Sequence, residues 1–401
     1  MLNCITYIEI NQVSSTAFPN RNKLLFFDFV NEFEAESSWE SLTNNAKITL
    51  PKNISYRDEN NRLQSIINIG GFTDNPFFLR GDKIKISYGY QYFDDKGNQV
   101  TDVNECFNGY ISSVSSKMPF TIECEDAMWK LKQTVATPGE YNESVETMIQ
   151  KWMPDGLTVN TKTSTKIGKF TVQNGETVAQ VIMRLRKDAH LEFSFHGMEL
   201  RCGFLVYDEQ QAIEDEAKQK KVFRFQRTII EDNLTYTRKD DIKLSAVAKS
   251  FVTKETGGQT KDGQKKTKKE DLFVLVYTKD GEFAQMVKSG SDSFPANDEG
   301  ERRTFFFLGV ADANELGNRA KEKLQRYYYT GFKGSYTTFA IPFVKSGDNV
   351  YIVDRVLSER SGYYKVKGVK YSGGTSGHRQ EISLDYFIRK LNDTEIKNYG
   401  R

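Results

Sequence analysis

The run Leu79-Arg80-Gly81-Asp82-Lys83-Ile84-Lys85-Ile86-Ser87-Tyr88-Gly89-Tyr90 leaves little freedom in how it can fold. Ile84, Ile86, Tyr88 and Tyr90 fall on one side of an extended chain, and Lys83, Lys85, Ser87 and Gly89 on the other. A two-residue period of this length is a strand with one buried and one wet face. Gly81-Asp82 supplies the turn before it, because Gly tolerates positive φ and Asp can bond its own backbone. The plan returns near the other end of the chain. Gly347-Asp348 stands where Gly81-Asp82 stood, and Val350 and Ile352 stand where Ile84 and Ile86 stood. Tyr364 and Val366, alternating with Lys365 and Lys367, match the part played by Phe107 to Ile111, and Ile382, Leu384 and Tyr386 close the pattern. The chain therefore reads as two β domains of similar plan.

The letters RGD at Arg80 to Asp82 also invite a cell-adhesion reading. That reading needs an exposed, flexible tip. Here the Asp runs straight into alternation, and the second copy reads Ser-Gly-Asp with no Arg. A strand-initiating turn is the better account.

Three regions are expected. Residues 1–130 are β-rich, with strands around Ile5 to Ile10, Phe27 to Phe33, Ala46 to Leu50, Ile84 to Tyr90, Phe107 to Val114 and Phe120 to Cys124. Trp39, Leu42 and Ala46 mark a helical or turn element, and Asp126 to Leu131 a short helix. Residues 131–221 form a small α/β unit. Thr177 and Gln180 make a capping box ahead of the stripe Val178, Ile182 and Leu185, with strands at Lys169 to Val172, Leu191 to Phe195 and Leu200 to Val206. Residues 209–221 read as an exposed helix or linker. Residues 222–395 return to strands, with Ile242, Leu244, Ala246 and Ala248 alternating. Residues 254–271 hold no apolar side chain and read as a polar, mobile loop within a long hairpin excursion that returns at Phe273 to Tyr277. Residues 312–329 read as the best helix, capped by Asp312, boxed by Glu315, ended by Gly331, with Leu316, Ala320 and Leu324 on one face.

A formal net charge of +2 gives no overall electrostatic case for nucleic acid. Cys4, Cys106, Cys124 and Cys202 form no CxxC pair and read as thiols, mostly buried. The start of the chain carries no basic leader followed by an apolar run, and no stretch is apolar enough to span a bilayer, so neither a signal peptide nor a membrane span is expected. His190 and His196, beside Glu192 and Glu199, lack a third ligand on a matching face. Glu123, Glu125 and Asp126 could be a carboxylate pair for glycoside hydrolysis, or acids on a wet strand edge. Gly70-Gly71, Gly257-Gly258 and Gly373-Gly374 are isolated doublets without phosphate-loop spacing. Lys261, Lys265, Lys266, Lys268 and Lys269 could meet phosphate or a partner, but lack aromatics for stacking, so a solvated loop is favoured. No catalytic, cofactor-binding or metal-ligating residue is assigned.

Four segments of the first region are Ser38 to Asn53, Phe77 to Tyr90, Cys106 to Val114 and Phe120 to Lys132. In order, they resemble the first barrel of phage baseplate hub proteins, the late-control-D and T4-hub-like family, related to the front of type VI secretion spike proteins. Ala313 to Asp354 and Gly362 to Gly374 resemble that family's second barrel and its preceding helix. Lys169 to Phe193 resembles a LysM-like module found in such hubs. The resemblance implies a mainly β fold, with two small β-barrel domains flanking a LysM-like α/β module. It also implies a homotrimeric, pseudo-sixfold ring that joins the tail tube to a central spike. The helix 312–329 would pack on its barrel, and Tyr327 to Tyr329 would partly serve an interface. Expected partners are tail tube, spike, and a tape-measure or distal tail protein. The expected location is the virion tail baseplate, assembled in host cytoplasm. No enzyme, cofactor or specific nucleic-acid contact is implied. The alternative is a wall-binding or peptidoglycan-degrading tail protein.

Overall fold

A computed structural model describes residues 2–51, 54–66, 76–115, 119–161, 169–189, 191–202, 220–259, 265–279, 281–290, 293–294, 300–308, 310 and 312–399. The chain divides into two units. One comprises residues 1–186, 191–234 and 334–401, and the other 187–190 and 235–333.

The first unit is built on one large sheet. Its main path runs Ile229–Asp232, Ser335–Thr338, Arg379–Lys390, Gly362–Gly374, Glu32–Ser38, Asn45–Leu50, Phe120–Glu125, Gln99–Val114, Lys83–Phe93, Asn3–Asn11, Leu24–Phe27, Ile54–Arg57 and Leu63–Ile66. Val222–Arg224 and Asn349–Val353 branch from it beside Gly362–Gly374. The alternation is realised as read. Ile84, Ile86, Tyr88 and Tyr90 are buried, while Lys83 is exposed and Lys85 and Ser87 are half-buried. At the N-terminal strand Ile8 and Ile10 are buried, and Tyr7 stays exposed, so this strand is covered on one side. Trp39 to Thr43 form turns, and Met128–Gln133 a short helix.

The expectation of two small β-barrels is corrected. Among the described residues no sheet closes on itself. Glu32–Ser38 of the first half pairs antiparallel with Gly362–Gly374 of the second, from Glu32 opposite Gly374 to Ser38 opposite Gly368. Alternation specifies which face a strand buries, not its neighbour. Closure depends on a pairing between end strands that no local pattern encodes.

The middle segment lies in this same unit. It holds a two-stranded ladder, Gly139–Tyr141 with Phe170–Val172, and a three-stranded sheet of Thr158–Thr161, Glu199–Cys202 and Phe193–His196. Its longest helix among the described residues, Val178–Asp188, buries Val178, Ile182 and Leu185. The capping box forms, with the Thr177 N–H donating to Gln180 Oε1 at 2.8 Å and the Gln180 N–H to Thr177 Oγ1 at 3.3 Å.

The second unit is a four-stranded sheet ordered Glu282–Ser289, Lys265–Lys279, Leu244–Gln259 and Glu301–Leu308. The helix Ala313–Gln325 covers one face, burying Leu316, Ala320 and Leu324 against Leu244, Ala246, Ala248, Val274 and Val276. Asp312 caps it, accepting from the Glu315 N–H at 2.8 Å. The helix thus packs on this sheet and not on a barrel. Tyr327 lies under the Arg303 guanidinium, Tyr328 meets Phe283 edge-on, and the Tyr329 hydroxyl donates to Phe332 O at 3.2 Å, so all three rings have contacts within their own unit. The polar run is not a loop through 254–271. The paired strand continues to Glu255 opposite Thr267, and after a register shift Gln259 meets Lys265, because a backbone ladder needs no apolar side chain.

Candidate functional site

The two Gly-Asp turns are built alike. Gly81 and Gly347 have φ +95° and +86°, the left-handed region that favours glycine. The Gly81 N–H donates to Ile111 O at 2.8 Å, and the Ile111 N–H to Asp82 O at 2.9 Å. In the second copy the Gly347 N–H donates to Val366 O at 3.0 Å, and the Val366 N–H to Asp348 O at 2.9 Å. Each Asp carboxylate accepts from the N–H three residues back: Leu79 to Asp82 at 2.9 Å, and Lys345 to Asp348 at 2.5 Å. Each also holds a cation from a distant segment, Arg21 on Asp82 and Lys221 on Asp348.

The first clamp is the deeper. Arg21 and Asp82 side chains are each 1% exposed. Arg21 donates to both carboxylate oxygens and to the carbonyls of Val13, Pro76 and Phe77. Asp82 also accepts from the Val13 N–H at 2.9 Å. Arg80 is exposed while Asp82 is buried in this network, so the RGD letters present no adhesion tip.

The two halves meet along the seam of Glu32–Ser38 and Gly362–Gly374, and His378 locks it. This imidazole is 1% exposed, with Nε2 2.9 Å from Thr6 Oγ1 and Nδ1 2.9 Å from Gly89 O. A carbonyl only accepts, so Nδ1 carries the proton and Nε2 takes the Thr6 hydroxyl hydrogen when the ring is neutral. Phe33, Tyr88 and Tyr90 surround the ring, and the Tyr90 hydroxyl donates to His378 O at 2.8 Å. Burial holds the His378 imidazole below its usual value. Sequence reading missed Arg21 and His378, which carry no local motif.

The other candidates do not converge. Glu123 accepts from the Ser113 hydroxyl at 2.8 Å, and Glu125 pairs with Lys132 at 2.6 Å. Asp126 is buried and structural, accepting from the Asn44 N–H at 2.8 Å and the Met128 N–H at 3.0 Å. His196 is exposed, and Glu199 pairs with Arg201 at 2.7 Å. Glu192 is half-buried; His190 and Lys261 lie outside the described residues. Lys265, Lys266, Lys268 and Lys269 lie in strand. Cys106, Cys124 and Cys202 are buried and free, Cys4 exposed and free; burial pushes the Cys202 thiol up to about 12. Among the described residues no group of three His, Cys, Asp or Glu could hold a metal ion.

A polar cleft of about 660 Å³ opens in the first unit, lined by Trp39, His196, Arg201, Lys345, Asp348 and Tyr371 among others. Its charges are partly spent on neighbours, Arg201 on Glu199 and Asp348 on Lys221.

Two buried carboxylates give the fold a pH signature. Burial pushes Asp126 up to about 6, against the pull of its N–H partners. Burial, and then the charges of Glu40 and Glu192, push Asp385 up to about 7. The folded state therefore holds protons that the unfolded chain has released, and stability falls as pH rises from about 4 through 6 to 7. The depressed His378 acts oppositely, losing stability as pH falls below about 6.5. Asp385→Asn is expected to stabilise the protein at pH above the Asp385 value and to make little difference at acid pH. Urea denaturation at both ends of the range checks this. A constant difference across pH would contradict it.

The sequence matches no protein-family model and no curated protein. The structure matches solved ones. The 43 kDa tail protein of prophage MuSo2 from Shewanella oneidensis aligns over 96% of this chain and 98% of its own, with TM-score 0.50 and 12% identity. The tail protein from Neisseria meningitidis MC58 aligns over 96% of each chain, with TM-score 0.53 and 12% identity. Both alignments run through the large sheet, the middle segment and the helix-covered sheet alike. From end to end, this chain has the fold of these tail proteins.

Proposed function

We propose that the chain is a structural hub of a phage-type tail baseplate, a homotrimeric pseudo-sixfold ring between tail tube and central spike. The observation that carries this is the near-complete, reciprocal fold match to two tail proteins. The repeated Gly-Asp turn supports it, since two similar β halves per chain would give three chains six similar positions. The proposed divisions are 1–130 and 222–395 as hub regions, with 131–221 as a LysM-like module between them. Tail tube, spike, and a tape-measure or distal tail protein are the proposed partners, and the virion tail the proposed location.

The second reading, a wall-binding or wall-degrading tail protein, leaned on Lys169 to Phe193 and on Glu123 and Glu125. Both carboxylates are engaged in local pairs, which weakens its catalytic form. Incubation with purified peptidoglycan separates the two. The hub reading expects no loss of turbidity and no co-sedimentation. Either effect, abolished by Glu123→Gln with Glu125→Gln, would favour the wall enzyme.

A further inference from the structure

The four-stranded sheet of the second unit ends in two strands of equal length, Glu282–Ser289 and Glu301–Leu308, eight residues each. Among the described residues Glu282–Ser289 pairs only with Lys265–Lys279, and Glu301–Leu308 only with Leu244–Gln259, so each keeps one edge without a backbone partner. Proteins blunt such edges with proline, bulges or charges. Neither strand holds a proline, and both ladders run without a register shift. The charged residues stand near the strand ends, which leaves Phe283 to Val287 and Thr304 to Leu308 uncharged. Met286 and Val287 are 39% and 48% exposed. The core under the helix reaches both edges, where Phe283 on one side and Phe307 on the other are only partly buried against it.

We propose that these edges join neighbouring copies of the chain, Glu282–Ser289 of one copy pairing in parallel with Glu301–Leu308 of the next. The two strands run in the same direction: one is parallel to Leu244–Gln259 directly, the other through two antiparallel pairings. A rotation about an axis along the strands keeps that direction, so a parallel pair results.

Charge selects this partner. Met286 stands opposite Leu275, Leu275 opposite Val247, and Val247 opposite Thr304, so the even-numbered residues of both edge strands share one face. Glu282 and Arg302 therefore lie at the same end and on the same face of a parallel pair, acid beside base. With Glu282 beside Arg302, Val287 comes beside Phe307 on the helix-covered face, and the core continues from one copy into the next. Two different edges make a heterologous contact, which closes into a ring. The inference rests on the hub reading, to which it adds the surface that joins the copies.

The test uses the full chain carrying Cys4→Ser, which removes the exposed thiol, with Met286→Cys, Thr304→Cys or both. Both substituted positions are exposed. Within one sheet they lie three strand spacings apart, roughly 14 Å. That is too far for a short bismaleimide, so a link joins two chains. A sample shown to be trimeric by light scattering is treated and run on a denaturing gel. The double variant is expected to give linked dimers and trimers, the two single variants mixed before assembly dimers only, and each single variant alone no link. Hydrogen exchange supplies a readout without substitution: amides of Glu282–Ser289 and Glu301–Leu308 gain protection in the trimer over the diluted monomer. A trimer with neither links nor that protection overturns the inference and leaves the hub reading standing. Links formed by Met286→Cys alone also overturn it, since they place two like edges together. A chain that stays monomeric with tail tube and spike proteins added fails the hub reading itself, and this inference with it.

Discussion

Replacing Arg21 with Met is expected to cost about 3–5 kcal/mol of folding stability. The change leaves the Asp82 side chain buried without its cation. The three carbonyls served by Arg21, those of Val13, Pro76 and Phe77, lose a donor at the same time. Loss of an acceptor's partner in a buried site carries the desolvation cost of that group. The twin clamp provides the internal comparison. Lys221 and Asp348 side chains are 15% and 27% exposed, against 1% and 1% for Arg21 and Asp82. Solvent can replace much of what Lys221 supplies, so Lys221→Met is expected to cost about 1 kcal/mol or less. Chemical denaturation of both variants checks the pair. Equal losses would mean that the turns are not held as described. Arg80→Ala, at the exposed position of the same turn, should be silent.

The second large effect concerns the seam. Gly374 has φ +134°, and a Cβ there would sit 2.3 Å from Asn31 O and 2.8 Å from the Glu32 Cα. Both obstacles are backbone, one in the first residue of the opposing strand and one in the residue before it, and cannot rotate away. Gly374→Ala is therefore expected to destabilise by about 2–5 kcal/mol, combining backbone strain with overpacking. Hydrogen exchange should localise the damage. Amides of Glu32–Ser38 and of Val369 to Ser372 lose protection, while those of Leu244–Gln259 keep theirs. Unchanged protection along the seam would contradict the pairing of the two halves in one sheet.

How far this was legible in the sequence varies by feature. Faces were readable in part: the alternation at Ile84 to Tyr90 marks buried side chains, whereas at Leu244 to Ala248 the intervening Ser245 and Val247 are buried as well. Turns and caps were readable too, because Gly81-Asp82, Thr177 with Gln180, and Asp312 act within a few residues of themselves. Partners were not. Glu32–Ser38 finds Gly362–Gly374 across most of the chain, and His378 finds Thr6 and Gly89. Nothing local to His378 distinguishes it from a surface histidine. The barrel expectation failed for the same reason, since it needed knowledge of which strands close. The polar run failed differently. An absence of apolar side chains says that a segment has no buried face, not that its backbone is unpaired. As for the site, sequence reading offered scattered acids and histidines, and the structure spends most of them on neighbours. The tail-protein resemblance was carried by the order of weak motifs, and the fold match agrees with it at the level of fold.

The hub reading rests most directly on assembly. Light scattering across a concentration series gives the mass in solution, and negative-stain imaging of the same sample gives its outline. The account predicts a species of three chains, each of 46.0 kDa, seen end-on as a hollow ring with six similar lobes. A monomer that persists at high concentration, and still forms no ring when tail tube and spike proteins are added, would contradict it.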